Sequence, residues 1–369
     1  MENSILDFET KHRIIPAEAL SLGELQPESL ALVLTSPPYP MIAMWDACFS
    51  AQDETLGDYL TAGDGWGAFL AMHRVLDRVW DIVGTLVMPG GFVCINVGDA
   101  LRTIDGTFML YPNAERIVSA FSKRGFSVLP RIIWRKSTNA PNKFMGSGML
   151  PAGAYVTLEH EHILIFRKGG KRLFTGEQKA LRRRSAFFWE ERNRWFSDIW
   201  DLAGERQLLT RKACRERSAA YPFELAYRLI CMYSVQGDLV ADPFLGTGTT
   251  ALAAAAAGRS SVCTEIDAFL AESAADALRE QCTAGGIAGS INRRRILEHL
   301  SFVEDYTMQK GTLKHRNTFY DFPVITSQET DLVFPGIDGL KEAGEGGGSI
   351  TLHHRPWREE NPQPYLFDM

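Results

Sequence analysis

No stretch of this chain stays apolar for the ~18 residues that a membrane-spanning helix needs. The opening Met1-Glu2-Asn3-Ser4 carries an acid where a secretory leader carries bases. A cytoplasmic protein without a membrane partner is expected. The six cysteines (Cys48, Cys94, Cys214, Cys231, Cys263, Cys282) are scattered and form no C-x-x-C pair, so neither zinc nor a disulfide framework is expected. A surplus of basic residues is also missing: 39 Lys and Arg stand against 45 Asp and Glu, for a net charge of -6. The protein as a whole is therefore no basic nucleic-acid binder, and any such contact must come from a local patch. There is no internal repeat. With 45% apolar and 23% charged residues over 369 positions, the chain has the composition and size of one large α/β domain with an insertion, or of two domains.

What is present is organised around Thr35-Ser36-Pro37-Pro38-Tyr39. It follows Leu30-Ala31-Leu32-Val33-Leu34, a short apolar run that reads as a buried strand. Two prolines then forbid continuation, because neither donates an N–H and both fix φ. A rigid corner results at a strand's carboxyl end, the edge where open α/β sheets bind ligands. It offers a small hydroxyl (Ser36), backbone carbonyls and a ring (Tyr39), which suits a flat, amine-bearing ring. An ordinary proline-stopped strand with a packing tyrosine is the competing explanation.

The neighbouring segments support an α/β order. His12-Arg13-Ile14-Ile15 reads as a first strand that places Glu18 at its carboxyl end, followed by a short helix from Gly23 to Ser29. Pro40 to Trp45 is apolar without a period, which fits either a flap over a pocket or packing. A helix from about Gly67 to Val87 is stopped by Pro89-Gly90-Gly91, and Gly91 to Val97 is the next strand. Ala114 to Arg124 is helical; Val128 to Trp134 and Glu161 to Phe166 are strands. The polar, glycine-bearing stretch between them, Lys136 to Gly148, is too long for an idle loop. Glu159-His160-Glu161-His162 invites a metal reading, but strand alternation separates the histidines from the glutamates and the spacing is not H-E-x-x-H. No metal is expected.

Lys168 to Arg217 differs from the rest. It holds fourteen Lys and Arg against seven acids, interleaved with Phe187, Phe188, Trp189, Trp195, Phe196 and Trp200. A basic, aromatic-rich island in an acidic chain is what phosphate and base contact require. A solvated helix pair with a small core of its own would look similar.

Beyond a helix opening at Tyr221-Pro222-Phe223 and a strand at Leu239-Val240-Ala241 comes the second informative stretch, Asp242-Pro243-Phe244-Leu245-Gly246-Thr247-Gly248-Thr249-Thr250. A helix follows, then the strand Ser260 to Thr264 with Glu265 at its end. Strand, glycine loop, helix, strand and acid are the parts of a nucleotide-type site, the acid being placed to hold ribose hydroxyls. A P-loop is excluded because Thr249-Thr250 stands where lysine and Ser/Thr are needed. A dinucleotide fingerprint lacks its third glycine. No base accompanies the loop, so the ligand need not be a polyphosphate; S-adenosylmethionine, with a ribose and no phosphate, fits. Ala268 to Gln281 and Arg293 to Tyr306 read as helices. From Gly311 the pattern fades, and Glu345 to Ser349 reads as flexible.

Taken together, the two stretches resemble the exocyclic-amine DNA methyltransferases, which methylate N4 of cytosine or N6 of adenine. Asp242 to Thr250 is similar to their cofactor loop and Ser36-Pro37-Pro38-Tyr39 to their catalytic tetrapeptide. The catalytic motif precedes the cofactor motif by about two hundred residues, an order that resembles the family's β group. Glu18 stands where that family has an acid near the cofactor's adenine. Tyr221-Pro222 resembles the helix start that shapes the methionine end of the cofactor site, with Tyr221 where phenylalanine is usual and Ser218 where histidine is usual.

The resemblance implies a doubly wound, mostly parallel α/β sheet of Rossmann-like type that binds S-adenosylmethionine and carries a basic recognition insertion. Residues 10–167 would be the catalytic half and 168–217 the target-recognition segment. Residues 218–306 would be the cofactor-binding half and 307–369 a partly flexible extension. By it, Ser36, Pro37, Pro38 and Tyr39 are catalytic. Glu18, Tyr221, Pro222, Asp242, Pro243, Phe244, Gly246, Gly248, Thr249, Thr250 and Glu265 bind cofactor. Lys143, Arg182, Arg183, Arg184, Arg192 and Arg194 contact double-stranded DNA. The target base would be flipped out of the duplex and methylated by direct displacement. Carbon-5 methylation needs a Pro-Cys nucleophile, and the chain has none. Serine at position 36 leans toward N4-cytosine; N6-adenine is the alternative, and an RNA methyltransferase a further one. A cognate restriction endonuclease is an admissible partner, and the oligomeric state is not readable.

Overall fold

The computed structural model describes residues 6–136, 145–204, 221–283, 285–343 and 349–359. Its frame is a ten-stranded sheet. The strands in chain order are β1 (Phe8–Pro16), β2 (Leu30–Thr35), β3 (Val87–Val97), β4 (Phe126–Arg135), β5 (His160–Lys168), β6 (Ile199–Asp201), β7 (Leu239–Asp242), β8 (Ser260–Glu265), β9 (Pro335–Ala343) and β10 (Ser349–Pro356). Across the sheet the order is β6-β4-β5-β3-β2-β7-β8-β1-β10-β9. The five central strands, β3 to β1, pair in parallel; β5 and β10 run against their neighbours. All six residues of β2 are buried, as a strand covered on both faces requires.

The helices are α1 (Asp46–Ser50), α2 (Thr55–Thr61), α3 (Gly65–Leu86), α4 (Asn113–Lys123), α5 (Glu177–Arg184), α6 (Trp189–Trp195), α7 (Phe223–Tyr233), α8 (Thr249–Ala256), α9 (Ala268–Gln281) and α10 (Ile287–Lys310). On one face of the sheet, Phe69, Leu76 and Val83 of α3 and Phe121 of α4 pack with Val33, Val93 and Ile95. On the other, α7, α8 and α10 pack with Leu32, Leu34, Cys94 and Val240. Adjacent residues of β2, Val33 and Leu34, thus feed opposite cores, which is the layering expected of a doubly wound sheet.

Several expected boundaries shift for local reasons. The helix over 67–87 begins at Gly65, behind Asp64, whose side chain accepts from Gly67 N at 2.8 Å, and it ends at Leu86. Pro89-Gly90-Gly91 does not stop it. These residues lie inside β3, where a register shift opposite Leu30 and Leu32 absorbs them. Gly90 is required there: at φ +79°, a Cβ would stand 2.5 Å from the backbone N of Arg172. The short helix expected over 23–29 is a 3₁₀ turn at Ala19–Glu24 instead, because Pro27 disfavours helix in the residue before it.

The carboxyl-terminal region carries strands that its fading pattern does not announce. Residues 312–343 and 349–359 are folded: β10 pairs antiparallel with β1, and β9 with β10. The expected flexible stretch over 344–348 lies outside the described residues. The island over 168–204 holds both buried and exposed rings. Phe188, Trp195 and Trp200 are buried, and Phe188 forms a third core with Ile296 of α10 and Tyr320, Phe322 and Phe334 of the extension. These rings serve packing, not base contact.

Candidate active site

β2 delivers the Ser-Pro-Pro-Tyr corner to the carboxyl edge of the parallel strands, beside the ends of β7 and β8. The last residue of β2 is locked there: Thr35 Oγ1 donates to Asp242 Oδ1 at 2.6 Å. Thr250 Oγ1, in the first turn of α8, donates to Asp242 Oδ2 at 2.5 Å, and Phe244 N to Oδ1 at 2.9 Å. The Tyr221 hydroxyl bonds to Thr250 Oγ1 and lies 3.4 Å from Asp242 Oδ2. Burial pushes the Asp242 carboxyl up to about 6, against these donors that hold it down. The hydroxyl that distinguishes Tyr221 from a phenylalanine is therefore used inside the protein.

A cleft of about 400 Å³ opens over this edge. Twelve of the fifteen expected cofactor and corner residues line it together with others: among them Ser36, Pro37, Pro38 and Tyr39 on one side, Asp242, Pro243, Phe244, Gly246 and Thr249 beneath, and Glu265 at the end of β8. Glu18 and Tyr221 line it as well. Pro222, Gly248 and Thr250 do not. Pro222 caps α7, its carbonyl accepting from Leu225 N at 3.0 Å. Gly248, at φ +96°, lets α8 pass α9: a Cβ there would stand 2.8 Å from Ala274 Cβ. Thr250 is buried beneath the floor. The Glu265 carboxylate accepts from Gly246 N at 2.7 Å and Asp267 N at 2.9 Å, so it orders the glycine loop; burial raises its pKa. Met44 and Trp45 join Phe49 and Gln52 on the wall, so the apolar stretch after Tyr39 is part of the cleft.

This lining tests the ligand. It contains four acids and, among the described residues, no lysine, arginine or histidine. A polyphosphate would meet only like charge. S-adenosylmethionine carries a sulfonium, an ammonium, ribose hydroxyls and one carboxylate, and such a lining fits it.

Behind the corner lies a set of side chains that sequence inspection missed. Tyr39 OH donates to Glu161 Oε2 at 3.0 Å. Asn96 Nδ2 donates to Tyr39 OH at 2.9 Å and to Glu161 Oε2 at 2.6 Å. Lys136 Nζ pairs with Glu161 Oε1. Ser36 Oγ lies 3.1 Å from Tyr39 OH. Burial, then the Glu161 charge, pushes the Tyr39 phenol well above its ordinary value. The one proton on Tyr39 is taken by the carboxylate, so Ser36 donates its own proton to Tyr39 Oη and keeps its lone pairs for a ligand. Of the histidines beside Glu161, His162 faces Asp99 at 3.6 Å and His160 packs edge-on against His162. No group of three metal-ligating side chains occurs among the described residues.

The expected DNA contacts fall elsewhere. Lys143 lies outside the described residues. Arg182 lies over the Phe174 ring, Arg183 pairs with Asp331 at 3.0 Å, and Arg184 O accepts from Val333 N at 3.1 Å. Val333 precedes β9 and Gln236, which bonds Ser185 Oγ, precedes β7, so α5 sits at the amino-terminal edge of the parallel strands. At ~3.3 Å per residue along β2, that edge is on the order of 20 Å from the corner. Arg192 covers Phe196, and Arg194 pairs with Glu298 of α10 at 2.9 Å.

A family described as DNA methylase matches residues 30–276. The type II methyltransferase M.MthZI of Methanothermobacter thermautotrophicus is 50% identical over 88% of this chain and 90% of its own length. M.MjaI of Methanocaldococcus jannaschii is 45% identical over 72% of this chain and 90% of its own. Among solved structures, a protein of Thermus thermophilus named a DNA modification methylase, complexed with S-adenosyl-L-methionine, is 33% identical. It aligns with a TM-score of 0.55 over 73% of this chain and 95% of that one. The chain belongs to the DNA methylase family of N6/N4 amino-methyltransferases and is an S-adenosylmethionine-dependent DNA methyltransferase.

Proposed function

We propose that the enzyme methylates the exocyclic N4 amine of cytosine in double-stranded DNA. The observation that carries this is the oriented hydroxyl of Ser36 at a cleft that suits a cationic methyl donor. The target base leaves the duplex to reach the corner. The Tyr39 ring, which lines the cleft, holds the base plane. Ser36 Oγ and the Pro37 carbonyl accept the two amine hydrogens. These bonds favour a pyramidal nitrogen with its lone pair free to attack. S-adenosylmethionine supplies a methyl group already activated on sulfur, so no covalent enzyme intermediate is needed. Most of the acceleration is positioning. The amine must lose one proton, and the hydroxyls of Ser36 and Tyr39 form a donor chain that ends on Glu161, a path for it. Serine, where aspartate also occurs in the family this chain resembles, leans the reading to cytosine.

The test uses S-adenosylmethionine labelled on the methyl group, purified enzyme and unmethylated plasmid, followed by mass spectrometry of the digested nucleosides. N4-methylcytosine is expected. N6-methyladenine would keep the site and reverse the base, and label found only in RNA would overturn the DNA reading of the site.

A further inference from the structure

The loop between β4 and β5 leaves and re-enters the sheet beside the corner. Lys136 N donates to Glu159 O at 3.0 Å, and Lys136 Nζ reaches Glu161. Within it, Met145–Gly146 pairs antiparallel with Ala154–Tyr155 to make a small hairpin. Its tip is fixed from inside: Ser147 N donates to Gly153 O at 2.9 Å and Ser147 Oγ to Leu150 O at 2.5 Å. Gly146, Gly148 and Ala152 are all left-handed, at φ +69°, +63° and +67°, and a Cβ on Gly146 would meet Gly153 O at 2.0 Å. The stem leans on a second hairpin, Ala100–Ile104 with Thr107–Tyr111, which follows the strand bearing Asn96. There the Tyr155 ring stacks on Phe108 at 4.6 Å.

This ordered tip presents apolar side chains to solvent. Met149 is 86% exposed, Leu150 71% and Val156 84%. Residues 145–157 contain no Asp, Glu, Lys or Arg, in a chain with 45 acids. A left-handed alanine costs energy, and among the described residues nothing repays it by burying these side chains. A duplex offers a reason. Extruding a base leaves a gap in the stack, and proteins that open or kink stacks insert Met, Leu, Phe or Pro into it. A tip without acids approaches phosphates unopposed.

We propose that Met149 and Leu150 form a wedge that enters the duplex at the target position and holds the extruded base in the corner. The proposal rests on the reading of Ser36 to Tyr39 as the site of methyl transfer. Plasmid methylation by the unaltered enzyme tests that reading separately.

The test maps the recognition site on methylated plasmid, then compares two short duplexes around it: one fully paired, one with an abasic site opposite the target. The variant is Met149→Ser with Leu150→Ser, both at solvent-exposed positions. The expected loss in kcat/KM is about 10- to 100-fold on the paired duplex and within about 3-fold on the abasic one, where extrusion is already cheap. Affinity for S-adenosylmethionine is unchanged. Equal losses on both duplexes, or no loss on the paired one, would overturn the wedge. So would a change in sedimentation behaviour with the paired-duplex rate retained, which would make the tip a contact between copies.

Discussion

Asp242 is the clearest case of a residue whose position in a motif does not tell its work. Its carboxyl joins the end of β2 through Thr35, the start of α8 through Thr250 and the glycine loop through Phe244 N, with Tyr221 close by. Asp242→Ala strands these buried donors, and a loss of roughly 3 kcal/mol in urea unfolding is expected. A loss confined to cofactor affinity would show that the carboxyl serves the ligand alone. Glu161 presents the opposite problem. The sequence places it in an acid–histidine alternation that poses only a metal question, because no local pattern says that position 161 will stand beside position 39. The antiparallel pairing of β5 with β3 brings them together. If Glu161 acts through Tyr39, Glu161→Gln and Tyr39→Phe should each lower kcat by about 100-fold, leave cofactor affinity unchanged, and combine with far less than additive effect. Fully additive losses in a double-mutant cycle would separate the two residues.

At the level of elements, the glycine loop is legible because strand, turn and helix are contiguous in sequence, yet its two glycines differ in task. Nothing lies within 4 Å of a Cβ built on Gly246, whereas one on Gly248 would strike Ala274. Gly248→Ala should therefore cost about 1–3 kcal/mol of stability by forcing α8 from α9 and straining a positive φ. The measurement is a thermal or urea midpoint set against Gly246→Ala, which carries only the backbone strain. In the basic island, part of the aromatic signal has a packing origin. Composition cannot distinguish rings that await a base from rings that await a partner helix, and the partner of Phe188 and Trp195 is α10, about a hundred residues further on. With α5 at the edge away from the corner, replacing Arg182, Arg183 and Arg184 by alanine should leave the slope of log affinity against log salt within about one unit of the unaltered enzyme. A larger fall would return α5 to the DNA interface.

Across the molecule, the alternation of strands and helices makes the doubly wound sheet legible, while β9 and β10 are not, since the glycine-rich joint between them masks two ordinary strands. Those strands close the β1 edge and create a buried polar chain. His354 Nε2 lies 2.8 Å from Thr10 Oγ1, which lies 2.9 Å from His12 Nε2, and His12 Nδ1 lies 2.9 Å from Ser261 Oγ. In the other core, His73 bonds Asn113 at 3.1 Å. Burial lowers all three imidazoles to about 3. The unfolded chain, with histidines near 6.5, therefore binds up to three more protons than the native one between pH 6.5 and pH 3. Stability present above pH 6.5 is lost as the pH falls through this window. Asp242 opposes this: raised from 3.8 to about 6, it makes the native state bind one more proton between those values, and Glu265 is raised in the same sense. Each unbalanced proton is worth about 1.4 kcal/mol per pH unit, so three histidines outweigh the two carboxyls and a net fall of roughly 1 kcal/mol or more per unit is expected below about pH 6. Urea midpoints at about pH 7.5, 6 and 5 test this before ordinary carboxylates titrate. A midpoint unchanged across that range would mean that these histidines take up protons in the folded protein as they do in the unfolded chain, so that burial does not hold them neutral.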